Sequence, residues 1–257
     1  MSNPRNQGPS FRHRGKLTWG TVAVALLALA YQLLVGSPPG TGTLERTPAG
    51  QGQQQGNDAV AGGFDYLLLS LSWSPTYCED LGSRRGNDPQ CNGNRPYAFV
   101  LHGLWPQYTK GWPEDCPANF DTWVPNDVIT SMLDIMPSKS LIVHEYKKHG
   151  TCSGLASRDY FQLARKMYES VRIPDAYTRL NQRLVTNITD IEQDFLRANR
   201  NLKADMIAVT CKTGGSTPRL QEVRICFDKS GVPKACGDNE RQSKLCRSDH
   251  VSMPPVR

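Results

Sequence analysis

Two short stretches gather side chains that titrate near neutral pH. FVLHGLWPQ (residues 99–107) carries His102, and HEYKKHGTC (144–152) sets His144, Glu145, Lys148 and His149 within six residues. Apart from His13 and His250, these are all the histidines of the chain. Read as a helix at about 100° per residue, the second stretch places its four polar side chains on one arc. His144 with Lys148, and Glu145 with His149, are then i,i+4 neighbours. The stretch looks like a zinc box H-E-x-x-H, but its second histidine comes one residue late, and a lysine inside the cluster suits no cation. It does suit acid–base chemistry. One imidazole can take a proton while another gives one. Lys148 can meet the charge that builds on phosphoryl oxygens, and Glu145 can orient an imidazole or favour its charged form. A substrate with its own nucleophile, such as RNA with its 2′-hydroxyl, needs no metal from such a site. The competing readings are a solvated charged face, a distorted zinc site with His102 or a distant carboxylate as third ligand, and an RNA-binding or toxin-like protein that acts without cleavage.

These residues need a scaffold. Short apolar runs rich in β-formers predict strands at FDYLLLSLSW (64–73), PYAFVLHGLW (96–105), DMIAVTC (205–211) and LQEVRICF (220–227), the last two joined by the turn-rich TGGSTP. Helical spacing predicts helices over 126–136 with Asn126 as cap, 157–171 with Ser157 as cap, 189–200 starting near Thr189, and 139–150 with Gly150 as its stop. Strands bracketing a run of helices indicate an α+β domain.

The rest of the chain bears on where that domain works. Arg5, Arg12, Arg14 and Lys16 precede an apolar run from Leu17 to Val35, and the first 36 residues hold no Asp or Glu. Residues 1–36 therefore read as a signal peptide or an N-terminal membrane anchor, with the basic flank left inside. Residues 37–62, rich in Gly, Pro and Gln, read as a flexible linker, and 63–257 as the catalytic domain. Of the net charge of +6, four units lie in the first 36 residues. The nearly balanced remainder gives no argument for a nucleic-acid-coating surface. Eight cysteines, all after Ser37 and none in a C-x-x-C pair, fit disulfides in an oxidising compartment.

HGLWP (102–106) and HEYKKHGTC resemble the two active-site segments of the ribonuclease T2 family, whose usual forms are H-G-L-W-P and H-E-x-x-K-H-G-x-C. LSWSPTYC (71–78) resembles the family's first strand and first cysteine, so the likeness runs from about Phe64 to Cys246, as in an exported bacterial-type member. The resemblance implies a central antiparallel sheet with helices packed around it, stapled by Cys78–Cys91, Cys116–Cys152, Cys211–Cys246 and Cys226–Cys236. It implies His149 as general base, His102 as general acid, Glu145 and Lys148 as stabilisers of a pentacoordinate phosphorane, and His144 as phosphate holder. Products would carry 2′,3′-cyclic phosphate. No metal or cofactor is implied, and RNA is the partner of an expected monomer that touches a membrane only through an uncleaved N-terminus. Trp105 resembles a base-stacking position. Gln107 stands where some members carry an acidic reader of adenine, a departure that argues for low base specificity. Tyr108 and Trp112 are further candidates for the groove, and Asn187-Ile188-Thr189 is a glycosylation sequon.

Overall fold

A computed structural model describes residues 61–257 except Asn94, Gly215 and Ser216. The apolar segment 17–35 and the linker up to residue 60 lie outside the described residues. Among those described, no helix is long and apolar enough to cross a membrane.

Strand β1 (Tyr66–Trp73) is an interior strand of the sheet and is apolar almost throughout. Leu67, Leu69, Leu71 and Trp73 face the main core, while Tyr66 and Leu68 face a smaller cluster with Trp105, Cys226 and Cys236. A strand covered on both faces shows a continuous apolar run rather than alternation. β1 pairs on one side with β2 (Phe99–Gln107) and on the other with β5 (Arg219–Phe227). β5 also pairs with β4 (Ile207–Lys212). The short strands β3 (Leu184–Asn187) and β6 (His250–Met253) extend the sheet to six strands in the order β2-β1-β5-β6-β3, with β4 off that path. Every pairing is antiparallel except a single parallel contact, Arg219 with Ser252, between β5 and β6. β3 and β6 were not legible in the sequence, because four residues are too few to show a period.

Helices α1 (Ser74–Leu81) and α2 (Pro89–Asn92) follow β1. α3 (Asn126–Met132), α4 (Lys139–Lys148), α5 (Ser157–Ser170) and α6 (Asp175–Thr178) lie between β2 and β3. α7 (Ile188–Ala198) follows β3, and α8 (Gln242–Leu245) precedes β6. Ile129, Ile142, Tyr146, Phe161 and Phe195 from these helices join β1 and β5 in one core.

Helix ends differ from the sequence reading. Asn126 and Ser157 are first helical residues, not caps, and α7 starts before Thr189. Ser157 Oγ instead donates to the Trp123 carbonyl at 2.9 Å. α4 is capped by Ser138, whose side chain accepts from Leu141 N–H. It ends at Lys148 with His149 as C-cap, and Gly150 opens a 3₁₀ turn, Gly150–Ser153. The left-handed glycine is Gly154, at φ 78°. Gly150 is required for another reason: a Cβ there would lie 2.5 Å from Tyr146 Cδ2. The eight cysteines form Cys78–Cys91, Cys116–Cys152, Cys211–Cys246 and Cys226–Cys236.

Candidate active site

The site begins with an irregularity in β2. Ser70 lies opposite Gly103 and Leu71 opposite Leu101, so His102 is an extra residue in the ladder. A bulge resets side-chain parity. Leu101 and Leu104 therefore both enter the main core, while His102 and Trp105, three residues apart, both serve the opposite face. In a regular strand they would point to opposite sides.

On that face β5 presents Glu222 and Arg224, two residues apart. Glu222 is 1% exposed, and its Oε1 lies 2.5 Å from His102 Nδ1. Its other oxygen accepts from Arg224 Nε at 2.9 Å and Nη2 at 2.8 Å. The Arg224 guanidinium lies 5.3 Å from the Trp105 ring centroid, a cation–π distance. Trp105 Nε1 donates to Glu145 Oε2 at 2.6 Å, and Glu145 Oε1 lies 3.6 Å from His102 Nε2. Five side chains from β2, β5 and α4 thus form a closed circuit. Gly103 makes room for it: a Cβ there would meet Trp105 Nε1 at 2.3 Å and Glu145 Oε2 at 2.4 Å.

His149 reaches the same indole, its ring centroid 5.4 Å from Trp105 against 5.1 Å for His102. The i,i+4 side-chain pair expected between Glu145 and His149 is not made. Glu145, 3% exposed, turns to Trp105 and His102 instead. His149 Nδ1 is buried with no hydrogen-bond partner among the described residues. The end of α4 is held by the Cys116–Cys152 disulfide and by Asp115 N–H donating to the Lys148 carbonyl at 2.7 Å.

The two imidazoles titrate in opposite directions. Burial pulls His102 down, but the hydrogen bond and charge of Glu222 and the charge of Glu145 outweigh it, and its pKa lies above that of an ordinary imidazole. Burial, reinforced by the neighbouring Lys148, holds His149 down at about 4. Glu222, although buried, is held at about 2 by His102 and Arg224. Burial raises Glu145 despite His102 and the Trp105 hydrogen bond.

His144 is exposed and lines a cleft of about 610 Å³ together with His102, Glu222, Ser72 and Leu141. Lys148 is half-exposed, with Nζ 3.4 Å from Glu114. Gln107 is not brought to the cluster: it is 4% exposed, and its Oε1 accepts from Asn239. Trp112 is 56% exposed in the loop after β2, where Tyr108 is half-buried. Asn187, the sequon asparagine, is exposed at the start of α7. Sequence reasoning missed Glu222, Arg224 and the role of Gly103. A signal did exist in LQEVRICF, where strand alternation puts two opposite charges on one face of an otherwise apolar run.

The family model described as "Ribonuclease T2 family" matches residues 64–236. A ribonuclease of Aeromonas hydrophila is 33% identical over 190 residues, covering 72% of this chain and 81% of that protein. Ribonuclease 1 of Arabidopsis thaliana is 29% identical over 190 residues, covering 65% and 77%. An RNase-related protein from Calystegia sepium superposes with a TM-score of 0.60 at 24% identity, over 76% of this chain and 98% of its own. The chain belongs to the ribonuclease T2 family and is a T2-type endoribonuclease.

Proposed function

We propose that this enzyme cleaves single-stranded RNA by transesterification, with His149 as general base and His102 as general acid, leaving 2′,3′-cyclic phosphate ends. One observation carries the assignment: two imidazoles contact one indole, and their electrostatic settings are opposite. His149, dry and beside a lysine, stays neutral and can accept the 2′-hydroxyl proton. With its Nδ1 buried, Nε2 is the nitrogen left for substrate. The freed 2′-oxygen attacks phosphorus, the bond to the 5′-oxygen breaks, and the leaving oxygen takes the proton of His102 Nε2. His102, between Glu222 and Glu145, holds that proton to higher pH than an ordinary imidazole does. Pairs of groups whose surroundings push their pKa values apart mark acid and base.

Lys148 and His144 complete the site as groups for the phosphoryl oxygens. The Lys148–Glu114 pair is half in solvent and worth at most about 1 kcal/mol, so it leaves the ammonium available to a phosphate. With Gln107 buried, that position offers no polar reader of a base, which favours low base specificity. Export is supported by four disulfides and by the basic–apolar N-terminus.

The test is to incubate the protein with RNA in excess EDTA and analyse the new ends. Cyclic phosphate in undiminished yield is expected, together with no cleavage at a 2′-deoxy position. Loss of activity in EDTA, or 5′-phosphate ends, would overturn the mechanism. RNA binding without any cleavage would favour the non-catalytic reading.

A further inference from the structure

We propose that Glu222 and Arg224 are positioning residues of this ribonuclease, and that β5 through them sets the tautomer, ring orientation and proton affinity of His102. The inference rests on the acid role given to His102 above.

His102 sits in a bulge, where the ladder restrains its backbone least. Its ring orientation must therefore come from side-chain contacts. Nδ1 lies against a carboxylate that is itself buried, so it holds a proton as donor, and Nε2 is the nitrogen that faces substrate. A carboxylate behind an imidazole works this way when its own orientation is fixed. Here Arg224 fixes it with two nitrogens on the oxygen that His102 does not use. The guanidinium also covers Trp105, which in turn grips Glu145. A displacement of Arg224 thus reaches both carboxylates that face His102. The titratable and charged groups around His102 are Glu222 and Arg224 from β5 and Glu145, His144 and His149 from α4 and its end. Of these only Glu222 bonds Nδ1.

Two variants separate position from charge. Glu222→Gln keeps the size of the side chain and an acceptor oxygen but removes the charge. The double variant Glu222→Gln/Arg224→Gln also removes the guanidinium that Glu222→Gln leaves unpaired, which protects the fold. In both we expect kcat to fall about 10–100-fold, the scale for lost partners of functional histidines, with KM for RNA within about twofold. The alkaline limb of the rate profile should move down by about one pH unit. Titration of the His102 ring followed by NMR should move by the same amount, while that of His149 stays in place. Arg224→Lys keeps a charge without the two-nitrogen grip and should show part of the loss in kcat, smaller than that of Glu222→Gln. An unmoved alkaline limb together with an unmoved His102 titration would overturn the proposal. The NMR titration needs no turnover. If the wild-type protein failed to cleave RNA, the reading of its function would fall while this inference would still be tested.

Discussion

His102 and His149 both contact the Trp105 indole, yet the chain handles them in opposite ways. His102 is held in the sheet, in a strand bulge, with a buried carboxylate at one nitrogen and a second carboxylate near the other. His149 caps a helix, and its buried Nδ1 has no partner among the described residues. Its neighbours are an indole and a lysine. Both settings are largely desolvated, so burial alone would lower both pKa values. What separates the two imidazoles is the charge built next to each. In the proposed mechanism the two like side chains differ as acid and base through their supports, not through their own chemistry.

The comparison can be broken most sharply at the histidines themselves. His102→Phe and His149→Phe should each lower turnover on RNA by at least ~100-fold, the scale of lost acid–base catalysis. A phosphodiester with a nitrophenol leaving group needs no acid. On it, His102→Phe should recover most of the wild-type rate and His149→Phe should not. Equal recovery of both would dissolve the distinction.

The pH profile tests the same difference without mutation. His149 must be neutral, so kcat/KM should rise through about pH 4. His102 must keep its proton, and its pKa is raised, so the alkaline limb should lie above about 6.5, the ordinary imidazole value. Beyond each limb the rate should fall about tenfold per pH unit. An alkaline limb below that value would remove the role given to the carboxylates.

Trp105, which both rings contact, gives a smaller effect. Trp105→Phe keeps an aromatic face but loses the Nε1–H bond to Glu145. Loss of a hydrogen bond to a charged group, roughly 1.5 kcal/mol, predicts about a tenfold drop in kcat with KM unchanged. A rise in KM with kcat unchanged would assign the indole to base stacking instead. The smallest effect belongs to Glu114. Glu114→Gln removes a solvent-exposed partner of Lys148 and should change kcat/KM less than about twofold and stability by less than about 1 kcal/mol, measured by urea unfolding.

Much of the site was legible before any coordinates. His102, Glu145, Lys148 and His149 stand out because imidazoles are few in this chain and two short motifs hold three of the five. The four longer strands were legible because buried runs of Leu, Val and Ile leave a composition that no loop has. Glu222 was not, because a charge in a strand has meaning only once its partner is known. That partner is 120 residues away in sequence. The side-chain pairing expected between Glu145 and His149 failed although His149 N–H still bonds the Glu145 carbonyl, because the Glu145 carboxylate turns to Trp105 and His102 instead.

By itself the sequence determined which chemistry this chain can do. Histidine, lysine and glutamate in two motifs name proton transfer at a phosphate, since few other side chains titrate where such a reaction runs. Only the tertiary structure supplies a physical reason for the proposed choice of which imidazole gives the proton and which takes it. That choice depends on desolvation and on charges within a few ångströms, and both come from residues of β5 and α4 that meet the bulge only when the sheet closes.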